Sequence, residues 1–327
     1  MRTRILAAMS AVALLMTVAA CGSDTSSSSP SALASSQAAQ PEAEETPTVI
    51  RSLDGLPTVD TTSGTPTFTY PSDTAPEGLQ SGAVEAGNGR EVADTDFLVV
   101  RYIGYVWGKN EAFDSSYSRG ASAAFSLDQV VKGWKYALAG QHVGDKVVLS
   151  IPPQWGYGEQ GQTAAGISGT DTMVFYVEIL DAFNQESAGQ DDATVETSPD
   201  QLPVSYTGEL GAPITEISVK EGQSEPTATT VTVIARGTGT PAAASSSLLI
   251  SYAATTWDNV SNENLWTGQS ISRGKVRGPV AATLGQGSVF DSLVGIPAGS
   301  RVLLTSAPST SSSAPAMAVI VDILGVL

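Results

Sequence analysis

Three blocks of sequence occur twice in this chain, in the same order, and any fold must seat both sets. Val99–Tyr102 (VVRY) returns as Leu249–Tyr252 (LISY), Leu138–Leu149 (LAGQHVGDKVVL) as Leu293–Leu304 (LVGIPAGSRVLL), and Met173–Leu180 (MVFYVEIL) as Met317–Leu324 (MAVIVDIL). Ahead of each set lies a weaker echo, Val84–Gly89 against Ile234–Gly239. Two copies are too few for a solenoid, so they predict a tandem pair of similar domains. Within the copies, Thr95–Tyr102, Lys146–Ile151 and Met173–Leu180 carry the period-two patterning of strands. The main helical candidate is short, Trp134–Ala139, between Gly133 and Gly140. Many strands with one helix lying across them predict an α+β fold with an antiparallel sheet.

Between Leu98 and Leu180 the aromatic residues also fall at intervals that suit one hydrophobic cleft. The blocks run Val-Arg-Tyr102-Ile-Gly, Ala-Phe113-Asp114-Ser-Ser, Gln-Val130-Val131-Lys-Gly133-Trp134 and Val-Gly144-Asp-Lys146. Pro152-Pro153, Trp-Gly156-Tyr157-Gly158 and Met173-Val-Phe175 follow. In this order and spacing they resemble the FKBP-type peptidyl-prolyl cis-trans isomerases. The resemblance implies two FKBP-like domains, each a curved antiparallel β-sheet wrapped around a short α-helix, with the cleft between helix and sheet. It makes Trp134 the cleft floor and Tyr102, Phe113 and Phe175 its walls. Val130 and Val131 would line the rim, with the Val131 amide donating to the substrate carbonyl. Tyr157 would offer its hydroxyl to the substrate, and Asp114, paired with Arg119, a polar group beside the twisting amide. Ile167 matches the apolar tip of the loop before the last strand. Ser122 and Ala123 stand where the family often has a proline and a further aromatic, and Ser168 where it commonly has a proline. Those departures bear on affinity and loop rigidity.

The reaction so implied is rotation about the bond preceding proline, over a barrier of ~18–20 kcal/mol set by amide resonance. A catalyst needs no nucleophile, cofactor or metal for this; it must favour the twisted amide over the planar one. A dry apolar pocket withdraws the water that stabilises the planar form, and a few fixed donors meet the rotated carbonyl. Lowering the barrier by ~7 kcal/mol would be worth about 10⁵ in rate. His142 is the only histidine, so a Ser-His-Asp triad or a metal site built on several histidines is not expected. The net charge of −17 argues against nucleic acid as a partner, because that needs basic patches.

The N-terminus reads as an address. Arg2 and Arg4 precede the apolar run Ile5–Val18, which is shorter than the ~20 residues of a bilayer span, and small residues lead to Cys21. The expectation is a signal peptide over residues 1–20 and lipid on Cys21, anchoring the protein to the extracytoplasmic face of the cell membrane. Cys21 is the only cysteine, so no intrachain disulfide can form. Residues 21–63, rich in Ser, Ala and Pro at the start, read as a flexible tether, 64–184 as the isomerase domain, 185–199 as an acidic linker and 200–327 as a degenerate second copy.

In that copy Tyr252 persists, Trp266 is expected where Phe113 stands, followed by Thr267 instead of an aspartate, and Val289 and Val319 align with Trp134 and Phe175. The second copy is therefore expected to fold without activity and to hold or orient clients. Trp107 and Trp155 have no place in the resemblance and read as surface or edge aromatics. The partners so implied are proline-containing exported polypeptides, the membrane through the lipid and, by resemblance, a macrolide ligand. The alternative is a non-catalytic chaperone or scaffold lipoprotein on the same folds.

Overall fold

The computed structural model describes residues 45–269, 277–309 and 313–327. The signal-like segment, Cys21 and the tether as far as residue 44 lie outside the described residues. From Thr46 onward the chain is one compact unit holding two large sheets.

The first sheet is built from β1 (Ile50–Arg51), β4 (Gln80–Glu85), β5 (Phe97–Val106), β6 (Ala112–Ser115), β7 (Ala123–Ser126), β8 (Lys146–Ile151) and β9 (Met173–Phe183), with β2 (Thr58–Asp60) and β3 (Thr67–Thr69) forming a separate hairpin. Its order is β1-β4-β8-β9-β5-β6, and β7 shares the β6 edge by pairing with the first half of β5. Helices α1 (Ser116–Arg119) and α2 (Lys132–Leu138) complete this half. The second sheet runs β10 (Thr194–Val195), β13 (Thr230–Arg236), β17 (Arg301–Ser306), β18 (Met317–Val326), β14 (Ser247–Thr256) and β15 (Asn262–Asn264), with β16 (Val280–Thr283) on β14 and a hairpin of β11 (Val204–Thr207) and β12 (Glu216–Val219). The two orders are the same, strand for strand. The pairing of β1 with β4 is parallel, that of β10 with β13 antiparallel.

Period-two alternation sorts each central strand between two cores. Leu98, Val100, Tyr102 and Val106 of β5 join Phe175, Val177 and Ile179 of β9 beneath α2. Ile103 and Tyr105 point the other way, with Val174 and Tyr176, and meet Leu56, Trp107 and the β2–β3 hairpin. Both faces are covered, which is why β5 reads as an almost unbroken apolar run. Trp107 is therefore buried, with its indole N–H donating to the Ser72 carbonyl (3.1 Å), and is not the surface aromatic expected from sequence. Trp155 likewise packs against the inner core.

Two expected boundaries are corrected. The tether cannot run to residue 63, because Ile50–Arg51 pairs with β4 and Leu56 is buried. Arg51 also donates to the Tyr136 (3.0 Å), Ala137 and Ala139 (2.6 Å) carbonyls, where a cation satisfies the C-terminal end of α2. The stretch 185–199 is a connection but is docked on the second sheet: it supplies β10, Ser187 O accepts from the Trp266 indole (2.9 Å), and Gly189 N donates to Asp322 (2.8 Å). Short polar segments of this kind carry no period to reveal that they are pinned by backbone bonds.

The outer face of the second sheet is held by a buried ion pair. The Arg301 guanidinium, 1% exposed, grips Asp322 through two bonds (2.7 and 2.8 Å) and donates to the Gly208, Glu209 and Ala212 carbonyls of the β11–β12 turn. Burial works against the charged guanidinium, yet the bonds to Asp322 outweigh it and raise its pKa.

Candidate functional site

Inward-facing positions on four strands and one helix bring five rings together. Trp134 on α2 is the hub: it meets Tyr102 (5.4 Å between centroids), Phe125 (5.6 Å) and Phe175 (5.2 Å), each edge-on. Phe113 meets Phe175 edge-on at 5.5 Å, and Tyr102 meets Phe125 at 5.6 Å. Edge-to-face pairs of this kind each contribute ~0.5–1.5 kcal/mol beyond burial, so the wall is stiff. Tyr102, Trp134 and Phe175 are buried, whereas Phe113 and Phe125 are half-buried.

Gly104 explains how two rings can close over β5. A Cβ there would lie 2.5 Å from Phe175 Cε1 and 2.8 Å from Phe113 Cζ, so a side chain would push both aside. Gly133 lets α2 sit on β8 in the same manner, since its Cβ would fall 2.3 Å from Ile151 Cγ2.

The polar side of the site is a three-membered cluster. The Tyr102 hydroxyl donates to Asp114 Oδ2, Arg119 donates to Asp114 Oδ1 (2.5 Å) and to the Tyr102 oxygen (2.9 Å), and the guanidinium lies over the Tyr102 ring at 5.5 Å. The short α1 places Arg119: Ser115 caps it by accepting from Ser118 N, and Ser116 ties it to β5 by accepting from Tyr102 N (2.9 Å). Burial raises the Tyr102 hydroxyl above the ordinary phenol range, and the bond to Asp114 adds to that. For Arg119, burial pulls down and the bonds to Asp114 and Tyr102 win, so the pKa rises.

The remaining expected residues surround this core. Val130 and Val131 pack against it at the start of α2, and no described group accepts from the Val131 amide. Ile167 is buried in the same cluster, held by mutual backbone bonds with Gln162. Tyr157 is 38% exposed, and its pKa is raised by burial and then by the Asp114 charge. Nine of the ten expected site residues of the first copy thus lie together, Tyr157 being the one with no direct contact to the rest. Phe125 was missed as a wall residue; the only signal was its place on an edge strand, opposite Leu98.

In the second sheet the register overturns one expectation. Ala254, the counterpart of Gly104, faces Glu263, so Glu263 occupies the place of Asp114, while Asn262 faces Thr255 as Ala112 faces Tyr105, and Phe113 has no counterpart. Trp266 points into the opposite core. The first sheet has a bulge beside Gly104 that the second lacks, which defeats matching by residue type alone. Glu263 accepts from the Tyr252 hydroxyl at 2.8 Å, the same pairing as Tyr102 with Asp114. Phe290, rather than Val289, faces Tyr252 at 5.7 Å. Val319 and Ala282 stand for Phe175 and Phe125.

The profile of the family described as FKBP-type peptidyl-prolyl cis-trans isomerase matches residues 88–180. The FKBP-type peptidyl-prolyl cis-trans isomerase FkpA of Escherichia coli (strain K12) is 43% identical over 108 residues, 33% of this chain and 39% of FkpA. A probable FK506-binding protein of Corynebacterium glutamicum is 33% identical over 117 residues, 36% of this chain and 98% of that protein. The crystal structure of FkpA from Escherichia coli aligns with a TM-score of 0.30 at 38% identity, over 38% of this chain and 51% of that one. The matched part thus spans only about two fifths of the length of FkpA.

Proposed function

The chain belongs to the FKBP-type peptidyl-prolyl cis-trans isomerase family, and from that premise we propose that its first half rotates X-Pro bonds in exported polypeptides. The carrying observation is the cluster of five rings with Trp134 as its hub and the Tyr102–Asp114–Arg119 cluster at its mouth. The prolyl ring seats on Trp134, between Tyr102, Phe125 and Phe175. Apolar walls exclude the water that favours the planar amide, so the ground state loses solvation that the twisted form needs less. The Val131 N–H and the Tyr157 hydroxyl donate to the substrate carbonyls. Asp114, held by two donors, keeps a fixed dipole beside the rotating bond. Because the cluster is already ordered, no reorganisation is spent at the transition state.

In this reading the two sheets are two domains of one kind. The second, with only Tyr252 and Phe290 where the first has five rings, holds or orients clients without catalysis. The protein would be a lipoprotein, carried through Cys21 on the extracytoplasmic face of the membrane, and an FK506-type macrolide would compete for the cleft. A non-catalytic chaperone is the second reading, favoured by the intact strand order of a half that lacks most of those rings.

The test is a proline-limited refolding assay with the full chain. Acceleration is expected from the parent, with about a tenfold or greater loss in Trp134→Leu and a smaller loss in Asp114→Ala. No acceleration by the parent rejects catalysis and leaves the chaperone reading.

A further inference from the structure

A groove of about 440 Å³ opens between the two sheets, lined on one side by β7 and on the other by the segment leading into β16. Phe125, Gln129 and Val130 form the first wall, and Arg277, Pro279 and Ala281 the second. Among the described residues, β7 pairs only with β5 and β16 only with β14. Each therefore keeps an outer edge whose backbone groups can take a further strand.

Two features say what occupies it. The groove is continuous with the aromatic cleft, because Phe125 lines both: its ring touches Tyr102 and Trp134, and Val130 stands at the start of α2. A chain leaving the cleft along β7 thus enters the groove. The charge is also distinctive. Arg277 is the only charged residue among the described ones that line it, on a chain of net charge −17. Its Nε donates to the Trp266 carbonyl (2.7 Å), which fixes the guanidinium, and the contact with the exposed Glu186 is long, at 3.4 Å. On a chain of net negative charge, the groove offers an acidic segment a cation.

We propose that the groove binds an extended segment of the client polypeptide next to the prolyl bond, added along the β7 edge, with an acidic side chain on Arg277. This rests on the isomerase reading for the cleft itself. The second half then acts as the far wall that lets a long client be held while its proline turns.

The experiment compares a proline tetrapeptide, which reaches the cleft alone, with a long single-proline peptide flanked by aspartates. The full-length chain is assayed as parent, Ala281→Trp and Arg277→Glu. Both substitutions lie on the second wall, away from the cleft. Tetrapeptide turnover should stay within about twofold, while KM for the long peptide and its Kd by fluorescence anisotropy rise about tenfold. Lysines in place of the aspartates should restore binding to Arg277→Glu. Equal loss on both substrates, or no loss on the long peptide, overturns the groove. A parent that fails to turn over the tetrapeptide sinks the isomerase reading instead, and the anisotropy series still decides whether the groove binds.

Discussion

The inner faces of the two sheets share a strand order and part ways at single positions. Where the first sheet has Gly104 under Phe113 and Phe175, the second has Ala254 beside Val319 and no counterpart of Phe113. Without the two phenyl rings there is nothing for a Cβ to strike, so the glycine is no longer required. The Tyr–acid pair survives as Tyr252–Glu263, now buried. The outer faces differ in the opposite sense. At matching register, Lys146 faces Glu178 in the first sheet, and Arg301 faces Asp322 in the second. The first lysine is partly exposed and bonded to Glu85, whereas the arginine is sealed beneath a hairpin turn. Each half has thus concentrated its specialised chemistry on one face: an aromatic hollow in the first, a buried ionic clamp in the second.

The sharpest way to break that comparison is at the clamp. Asp322→Ala strands a buried guanidinium and should cost about 3–5 kcal/mol of stability, whereas Lys146→Ala removes a solvent-screened pair and should change it by less than ~1 kcal/mol. Urea unfolding of the two variants decides the matter, and equal midpoints would show that the outer faces are equivalent.

A smaller effect separates the two tyrosines. Tyr252→Phe leaves the buried Glu263 without that hydroxyl and should cost ~1–3 kcal/mol with no change in prolyl isomerisation. Tyr102→Phe should cost less stability, since Asp114 keeps Arg119, but should lower kcat/KM. A loss of activity from the first substitution would place catalysis in both halves.

The smallest expected effect is in pH. Burial disfavours the Tyr157 phenolate and the Asp114 charge does so further, so its pKa lies above the ordinary 10.0. The hydroxyl stays a donor as pH rises through the range where a free tyrosine begins to ionise. A kcat/KM profile flat to about pH 10 is expected, and a decline centred below that value would remove Tyr157 from the site.

The inner strand positions were readable in advance because alternation and side-chain size act locally. Tyr102, Trp134 and Phe175 sit where a period of two and one helical turn put them. Phe125 escaped notice because a four-residue edge strand is too short to show a period, and its role exists only through the ring it reaches across to Trp134. Arg51 escaped for a similar reason: its partners are carbonyls about 85 residues away, and a backbone carbonyl has no sequence signature. The placement of Trp266 failed because matching by residue type ran past the three-residue strand β15, whose register sets Glu263 opposite Ala254.

By itself the sequence determined the three long central strands, that they come in two sets, and which family's hollow the first set resembles, since all of these follow from neighbouring residues and their spacing. Only the tertiary structure decided which residues oppose one another across strands, where Arg301 finds its acid and carbonyls, and that the edges β7 and β16 border a shared groove. Those outcomes depend on hydrogen-bond register and on the meeting of distant surfaces, and neither is written in any one stretch of chain.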